Sequence, residues 1–136
     1  MRVVLDTNVL ISALISPSGV AHLAYRAWQA GDFRLVSCEE QIAEIQRVTR
    51  RPVLRDSIKA AEAGRLINQI RHLAIMTEPI PQISLSPDPG DDYLLATAFD
   101  GRADYLVTGD KSGLLALKRF KRTSIVTIRS FLLALA

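Results

Sequence analysis

The sequence predicts an α/β domain in three layers, with a parallel sheet covered by helices on both faces. Three observations lead there. Short apolar runs rich in Val, Ile and Leu alternate with longer segments whose apolar residues recur at helical spacing. The length of 136 residues suits one domain, spanning 1–136, which buries roughly two-thirds of its unfolded surface without staples. Two strand-like runs, Val3-Val4-Leu5 and Leu106-Val107-Thr108, each deliver an acid at their C-terminal end, Asp6 and Asp110. In a parallel sheet those ends share one rim, where ligands bind.

The elements follow in order. Arg2–Leu5 reads as the first strand and Asn8–Ile15 as a helix, stopped by Ser16-Pro17-Ser18-Gly19. Val20, Leu23, Ala24, Ala27 and Trp28 keep the spacing of a second helix, with Gly31 as its C-terminal cap. Phe33–Ser37 is a strand. Glu39–Arg50 is a helix with Ile42, Ile45 and Val48 on one side, ending near Arg51-Pro52. A long helix is expected from Asp56 to about Ala74, then a strand over Ala74–Glu78. Prolines 79, 81, 87 and 89 make the next stretch an extended connection. A helix from about Asp91 to Gly101, a strand at Tyr105–Thr108, a short helix at Leu114–Lys118, a strand at Ser124–Ile128 and a helix at Arg129–Leu135 complete the chain. Strand and helix in alternation imply parallel pairing.

Composition narrows the function classes. With 49% hydrophobic and 23% charged residues the chain is that of a folded globular protein. Cys38 is the single cysteine, so no intrachain disulfide forms, which suits a reducing compartment. In Phe33-Arg34-Leu35-Val36-Ser37-Cys38 it reads as strand filler, with no local base to make it a nucleophile. No apolar run approaches the roughly 18 residues of a membrane span. Asp6 and Asn8 interrupt the apolar N-terminus, against a signal peptide. The expected location is cytoplasmic, with no membrane partner. The net charge is +3, and if several acids are gathered into one site, the remaining surface is more basic and favours a polyanion.

The acids carry the chemistry. Clustered carboxylates repel one another, so a cluster makes sense chiefly as a cation site. Oxygen ligands suit Mg²⁺, whereas His22 and His72 lie far apart within helical patterns, against zinc. Asp6 has the plain alternative of a helix cap, but Thr7 or Asn8 would cap equally well. Glu44 lies between Ile42 and Ile45, close to an apolar face; its alternative is an exposed residue paired with Arg47, and Glu39 and Glu40 are its rivals. Asp88, Asp91 and Asp92 precede a helix, and three acids exceed what a cap needs. Asp92 is the preferred ligand there, with Asp91 beside it. A helix N-terminus also eases the gathering of anions. Asp110 after Gly109 suits a turn, and its weight comes from matching Asp6. Thr108 is placed to hydrogen-bond a ligating carboxylate.

Together these segments resemble the PIN-domain family of nucleases, most closely the toxin members of bacterial and archaeal toxin–antitoxin systems. Leu5-Asp6-Thr7-Asn8-Val9-Leu10-Ile11-Ser12 resembles the opening motif, and Glu44-Ile45-Gln46-Arg47-Val48 with Arg51-Pro52 the second. Asp88-Pro89-Gly90-Asp91-Asp92 with Leu94-Leu95-Ala96-Thr97-Ala98 resembles the third, and Ala103 to Asp110 with Leu114-Leu115 the fourth. The resemblance implies a PIN-like parallel five-stranded sheet and a ribonuclease dependent on Mg²⁺ or Mn²⁺. It carries the metal-binding and catalytic roles to Asp6, Glu44, Asp92 and Asp110, with Thr7, Asn8, Asp91 and Thr108 in support. It also implies a homodimer and a small antitoxin protein as partner. Trp28, near Tyr25, reads as a core residue or a subunit contact. One departure stands out: Lys111-Ser112-Gly113 follows Asp110, where many relatives place a further acid. A second metal is therefore expected to bind weakly or only with substrate.

Acids repel a phosphate backbone, so cations must offset them. Arg47, Arg50, Arg51 and Lys111 are the candidate RNA contacts, with Arg55 adjoining, and Lys118, Arg119, Lys121 and Arg122 form a second basic cluster around Phe120. Aromatics at 6% offer no evident stacking platform. Two alternatives compete. A haloacid-dehalogenase-like phosphatase would use a strand-end aspartate as nucleophile, but needs a second acid where Asn8 stands. A non-catalytic binding module of the same fold would keep the scaffold without the chemistry.

Overall fold

The computed structural model describes residues 1–78, 91–109 and 112–136. The proline-rich connection, Asp88, Asp110 and Lys111 lie outside the described residues. The elements are β1 (Arg2–Leu5), α1 (Thr7–Ile15), α2 (Val20–Gln29), β2 (Arg34–Cys38), α3 (Glu39–Thr49), α4 (Pro52–Arg55), α5 (Ala60–Leu73), β3 (Ile75–Thr77), α6 (Asp92–Asp100), β4 (Tyr105–Thr108), α7 (Ser112–Leu117), β5 (Arg119–Phe120), β6 (Thr123–Thr127) and α8 (Ile128–Leu135).

Among the described residues the sheet runs in the order β3-β2-β1-β4-β6-β5. Five strands are parallel, as the alternation of elements requires; β5 adds a two-residue antiparallel edge to β6, Phe120 facing Thr123. A two-residue strand leaves no periodicity to read, so the sequence did not announce it. The chain builds β1, β2 and β3 outward on one side, then returns to lay β4 on the other side of β1. The switch point thus lies between β1 and β4. In open α/β sheets that is where the crevice forms at the C-terminal ends of the strands.

Strand alternation divides the core in two. Val3, Leu5, Leu35 and Val107 pack with α1, α2, α3, α5 and α8, whereas Val4, Val36, Leu106 and Ile125 pack with Leu94, Leu95 and Ala98 of α6 and Leu114 of α7. This period of two, with both faces buried, is what a parallel sheet between helices demands. Trp28 is 4% exposed and packs against Tyr25 at 5.8 Å between ring centroids, which makes it a core residue.

Helix ends follow local chemistry. Gly31 takes φ +83 just past α2, as expected of its cap. The long helix begins at Ala60 and not at Asp56. Pro52 starts α4 at a position where its missing N–H costs nothing, and Ile58, 3% exposed, anchors the turn before α5. No single described helix is long and apolar enough to cross a membrane; α1 and α2 together have the composition but meet at 100°.

Gly101 closes α6 against β2. A Cβ built there would stand 2.3 Å from Val36 Cγ1 and 3.1 Å from the Thr97 carbonyl oxygen. Gly101→Ala is expected to cost about 1–3 kcal/mol through overpacking, read as a lower urea midpoint with an unchanged m-value.

Asp104 ties the N-terminal rim together. Its carboxylate accepts from the Arg2 backbone N–H at 2.9 Å and pairs with Arg122 at 3.0 Å. The Arg2 hydrogen bond, then Arg122, hold its carboxyl below the usual range. A lowered folded pKa stabilises above the unfolded value and is lost as pH falls through the folded one. The stability gap between wild type and Asp104→Asn should therefore be open at neutral pH and narrow as pH falls below the ordinary aspartate range.

Candidate functional site

The C-terminal rim is built outward from Asp6. Register pairs Leu5 with Val107, and the ladder continues one step further as the Asp6 N–H donates to the Val107 carbonyl at 2.8 Å. There the chain turns into α1. The Asp6 carbonyl accepts from the Val9 and Leu10 N–H groups, and its Oδ1 accepts from the Asn8 N–H at 3.2 Å. Asp6 therefore does cap α1, a task the sequence left open among Asp6, Thr7 and Asn8. The reason is its position at the last strand residue's successor, with extended φ and ψ of −54 and 145, the conformation a cap requires. Its other oxygen, Oδ2, accepts from Thr108 Oγ1 at 2.8 Å. Asp6 is only 7% exposed and Thr108 is fully buried, so this is a carboxylate held inside the rim.

A polar network runs from beneath Asp6 to Glu44. Gln41 of α3, 1% exposed, donates from Nε2 to the Leu5 carbonyl at 2.7 Å and, at 3.4 Å, to Thr7 Oγ1. Its Oε1 accepts from Ser37 Oγ at 2.5 Å. Thr7 Oγ1 lies 3.1 Å from the Tyr93 hydroxyl, which donates to Glu44 Oε1. Burial and the Glu44 carboxylate push the Tyr93 hydroxyl far above its ordinary pKa, so it keeps its proton. Tyr93 belongs to α6 and Glu44 to α3, on opposite faces of the sheet; their contact passes over the sheet's end and joins the two helical layers.

The remaining predicted residues fall as follows. Glu44 is half-buried, and its Oε2 lies 3.7 Å from the exposed Arg47 guanidinium, the pairing weighed against a site role. Its rival Glu39 is engaged elsewhere, in a 2.5 Å pair with Arg71. Asp91 occupies the N-cap position of α6 and Asp92 its first turn, both partly buried. Asn8 is exposed and lines a groove with Val9, Ile11, Ser12, Gly109 and Ile128. Among the described residues no three His, Cys, Asp or Glu side chains stand together as a metal-holding group. Arg50 and Arg51 are exposed where α3 ends and α4 begins. The cluster around Phe120 sits on the β5–β6 hairpin, which precedes β6 and so lies at the N-terminal end of the parallel sheet, away from Asp6. Cys38 is buried and accepts from Thr97; burial raises its thiol pKa, in keeping with a structural role. His22 bonds the Ala13 carbonyl at 2.9 Å.

Gln41, Tyr93 and Ser37 were not singled out from the sequence. The available signal was an amide three residues before Glu44 and adjacent to Ile42, one helical turn from the acid on the same face.

A PIN domain family model matches residues 2–112 of the chain. The chain belongs to the PIN-domain family. The match spans β1 through the start of α7, and so contains Asp6, Glu44, Asp92 and Thr108. No curated protein and no solved structure matches the chain. In this PIN domain the buried Asp6 depends on its donors. Thr108→Val removes one while keeping shape, and should destabilise the fold by about 1–3 kcal/mol in chemical denaturation.

Proposed function

We propose that this PIN domain is a metal-dependent endoribonuclease, the toxin of a toxin–antitoxin pair, with Asp6, Glu44, Asp92 and Asp110 binding Mg²⁺ or Mn²⁺. The observation that carries the reading is the buried Asp6 carboxylate at the β1/β4 switch point, linked through Thr7 and Tyr93 to Glu44. A capping residue alone has no need of a buried hydroxyl on its second oxygen. The donor set is all oxygen, which fits a hard cation.

A divalent ion there supplies Lewis-acid activation of water and charge stabilisation at the phosphate. The chain's own residues do the rest. Thr108 fixes the Asp6 rotamer, and Tyr93 fixes Glu44. Glu44 or Asp92 orients the attacking water, and Asp91 supports from the head of α6. Asn8 faces the groove in which a nucleotide would lie. Arg47, Arg50, Arg51 and Lys111 contact phosphates, each neutralising a charge and steepening the salt dependence of binding. Leu23 on α2 and Leu133 on α8, 55% and 79% exposed on helices that pack together, support self-association as a homodimer. A small antitoxin covering the rim and a cytoplasmic location complete the proposal.

The pairing of Glu44 with Arg47 at 3.7 Å favours, as second reading, a PIN-fold binding module without catalysis. Cleavage of a fluorescent single-stranded RNA separates the two. Activity with Mn²⁺ is expected, abolished by EDTA and reduced at least about a hundredfold in Asp6→Asn, beyond what loss of a supporting residue causes. Mn²⁺ uptake by calorimetry without cleavage would establish the binding module instead, and a trapped phospho-aspartate the phosphatase.

A further inference from the structure

Resting on the ribonuclease reading, we propose that Gln41 is a positioning residue that orders a one-way chain of hydrogen-bond donors ending on Glu44. The direction follows from counting protons. The Leu5 carbonyl is an acceptor only, so the Gln41 amide must present Nε2 to it and Oε1 to Ser37. At the far end the Glu44 carboxylate accepts, so Tyr93 spends its single hydroxyl proton there. Thr7, 3.1 Å from the Tyr93 oxygen, must then be the donor to it. With its own proton committed, Thr7 can only accept from Gln41. Ser37, Gln41, Thr7 and Tyr93 thus each donate one step toward Glu44, Gln41 with the amide proton that the Leu5 carbonyl does not take.

The same amide grips both neighbours of Asp6, through the carbonyl of Leu5 and the hydroxyl of Thr7. It has one structural duty. The β1–β2 ladder pairs Arg2 with Arg34 and Val3 with Leu35 only, so the strands have parted by Leu5, and Gln41 satisfies that carbonyl. A purely structural amide, however, would need no connection onward to a half-exposed acid on the rim. Here the connection runs across three further oxygens and both helical layers. Gln41 is 1% exposed and acts through Glu44, so its loss should slow turnover without weakening RNA binding.

The experiment compares Gln41→Leu, Tyr93→Phe and the double variant of the full chain in Mn²⁺-dependent cleavage of single-stranded RNA. It also follows the Tyr93 hydroxyl proton by NMR in the metal-free, RNA-free protein. Each single variant should lower kcat about ten- to a hundredfold, the usual effect of removing a supporting partner, and leave KM within about twofold. Because a chain breaks once, the double variant should fall no further than the worse single. The hydroxyl signal, present in wild type and absent in Tyr93→Phe, should shift or exchange faster in Gln41→Leu. Tyr93→Phe keeps the buried ring, and so remains informative should Gln41→Leu fail to fold. Multiplicative losses, a change confined to KM, or an unmoved hydroxyl signal in Gln41→Leu would overturn the proposal. A wild type inert toward RNA whose hydroxyl signal still responds to Gln41→Leu would sink the ribonuclease reading while leaving the donor chain standing.

Discussion

A carboxylate that is 7% exposed at the end of a strand is costly unless hydrogen bonds replace its lost water. Asp6 obtains them from two directions. The Asn8 N–H and the positive end of α1 lie ahead of it along the chain. Thr108 comes from the neighbouring strand, more than one hundred residues away in sequence. The second donor exists only if β4 pairs with β1 in the observed register, Leu5 beside Val107, so that the next positions on both strands face each other. Topology and site are therefore one constraint. The chain must return past β1 after building β2 and β3, and the crevice opens where it does.

The two helical layers are bound by the same economy of polar groups. Apolar packing holds each layer to its own face of the sheet, but packing alone leaves the sheet's end open, where strand carbonyls have run out of ladder partners. Gln41 takes one of those carbonyls, and Tyr93 bridges from the other layer to Thr7 and Glu44. The rim is thereby polar yet ordered. Among the described residues no buried side-chain nitrogen or oxygen lacks a hydrogen-bond partner, so this order is not bought with an orphaned group.

How much of this could be read beforehand depended on whether the signal was local. The parallel strands and most helices were readable, because alternating elements and helical periodicity are properties of short windows. The start of α5 was not, since Asp56 looks as helical as Ala60 until Ile58 is seen to be drawn into the core. β5 was too short to carry a pattern. At the site, Asp6 and Glu44 stood out because acids are unusual next to apolar runs. Gln41 is an ordinary helix residue by composition, and Tyr93 opens an apolar run that reads as core; their partners come from distant segments. Thr108 was marked only through its neighbourhood to Asp110.

Asp6 serves as cap and candidate ligand together. A residue chosen for capping alone can be Ser, Thr or Asn at similar stability, and each avoids burying a charge. Keeping an aspartate there means donors such as the Asn8 N–H and Thr108 must be maintained for a charge that the fold does not need. Charge at a buried rim is useful when something of opposite sign is to be held, and its donors then have a second effect. In the proposed metal site they would fix the carboxylate's orientation before a cation arrives, so that the ordering cost is met during folding. On this view Thr108 and the Asn8 N–H are as much a part of the site as Asp6 itself. The helix cap is the device by which a parallel sheet aims a strand-end acid.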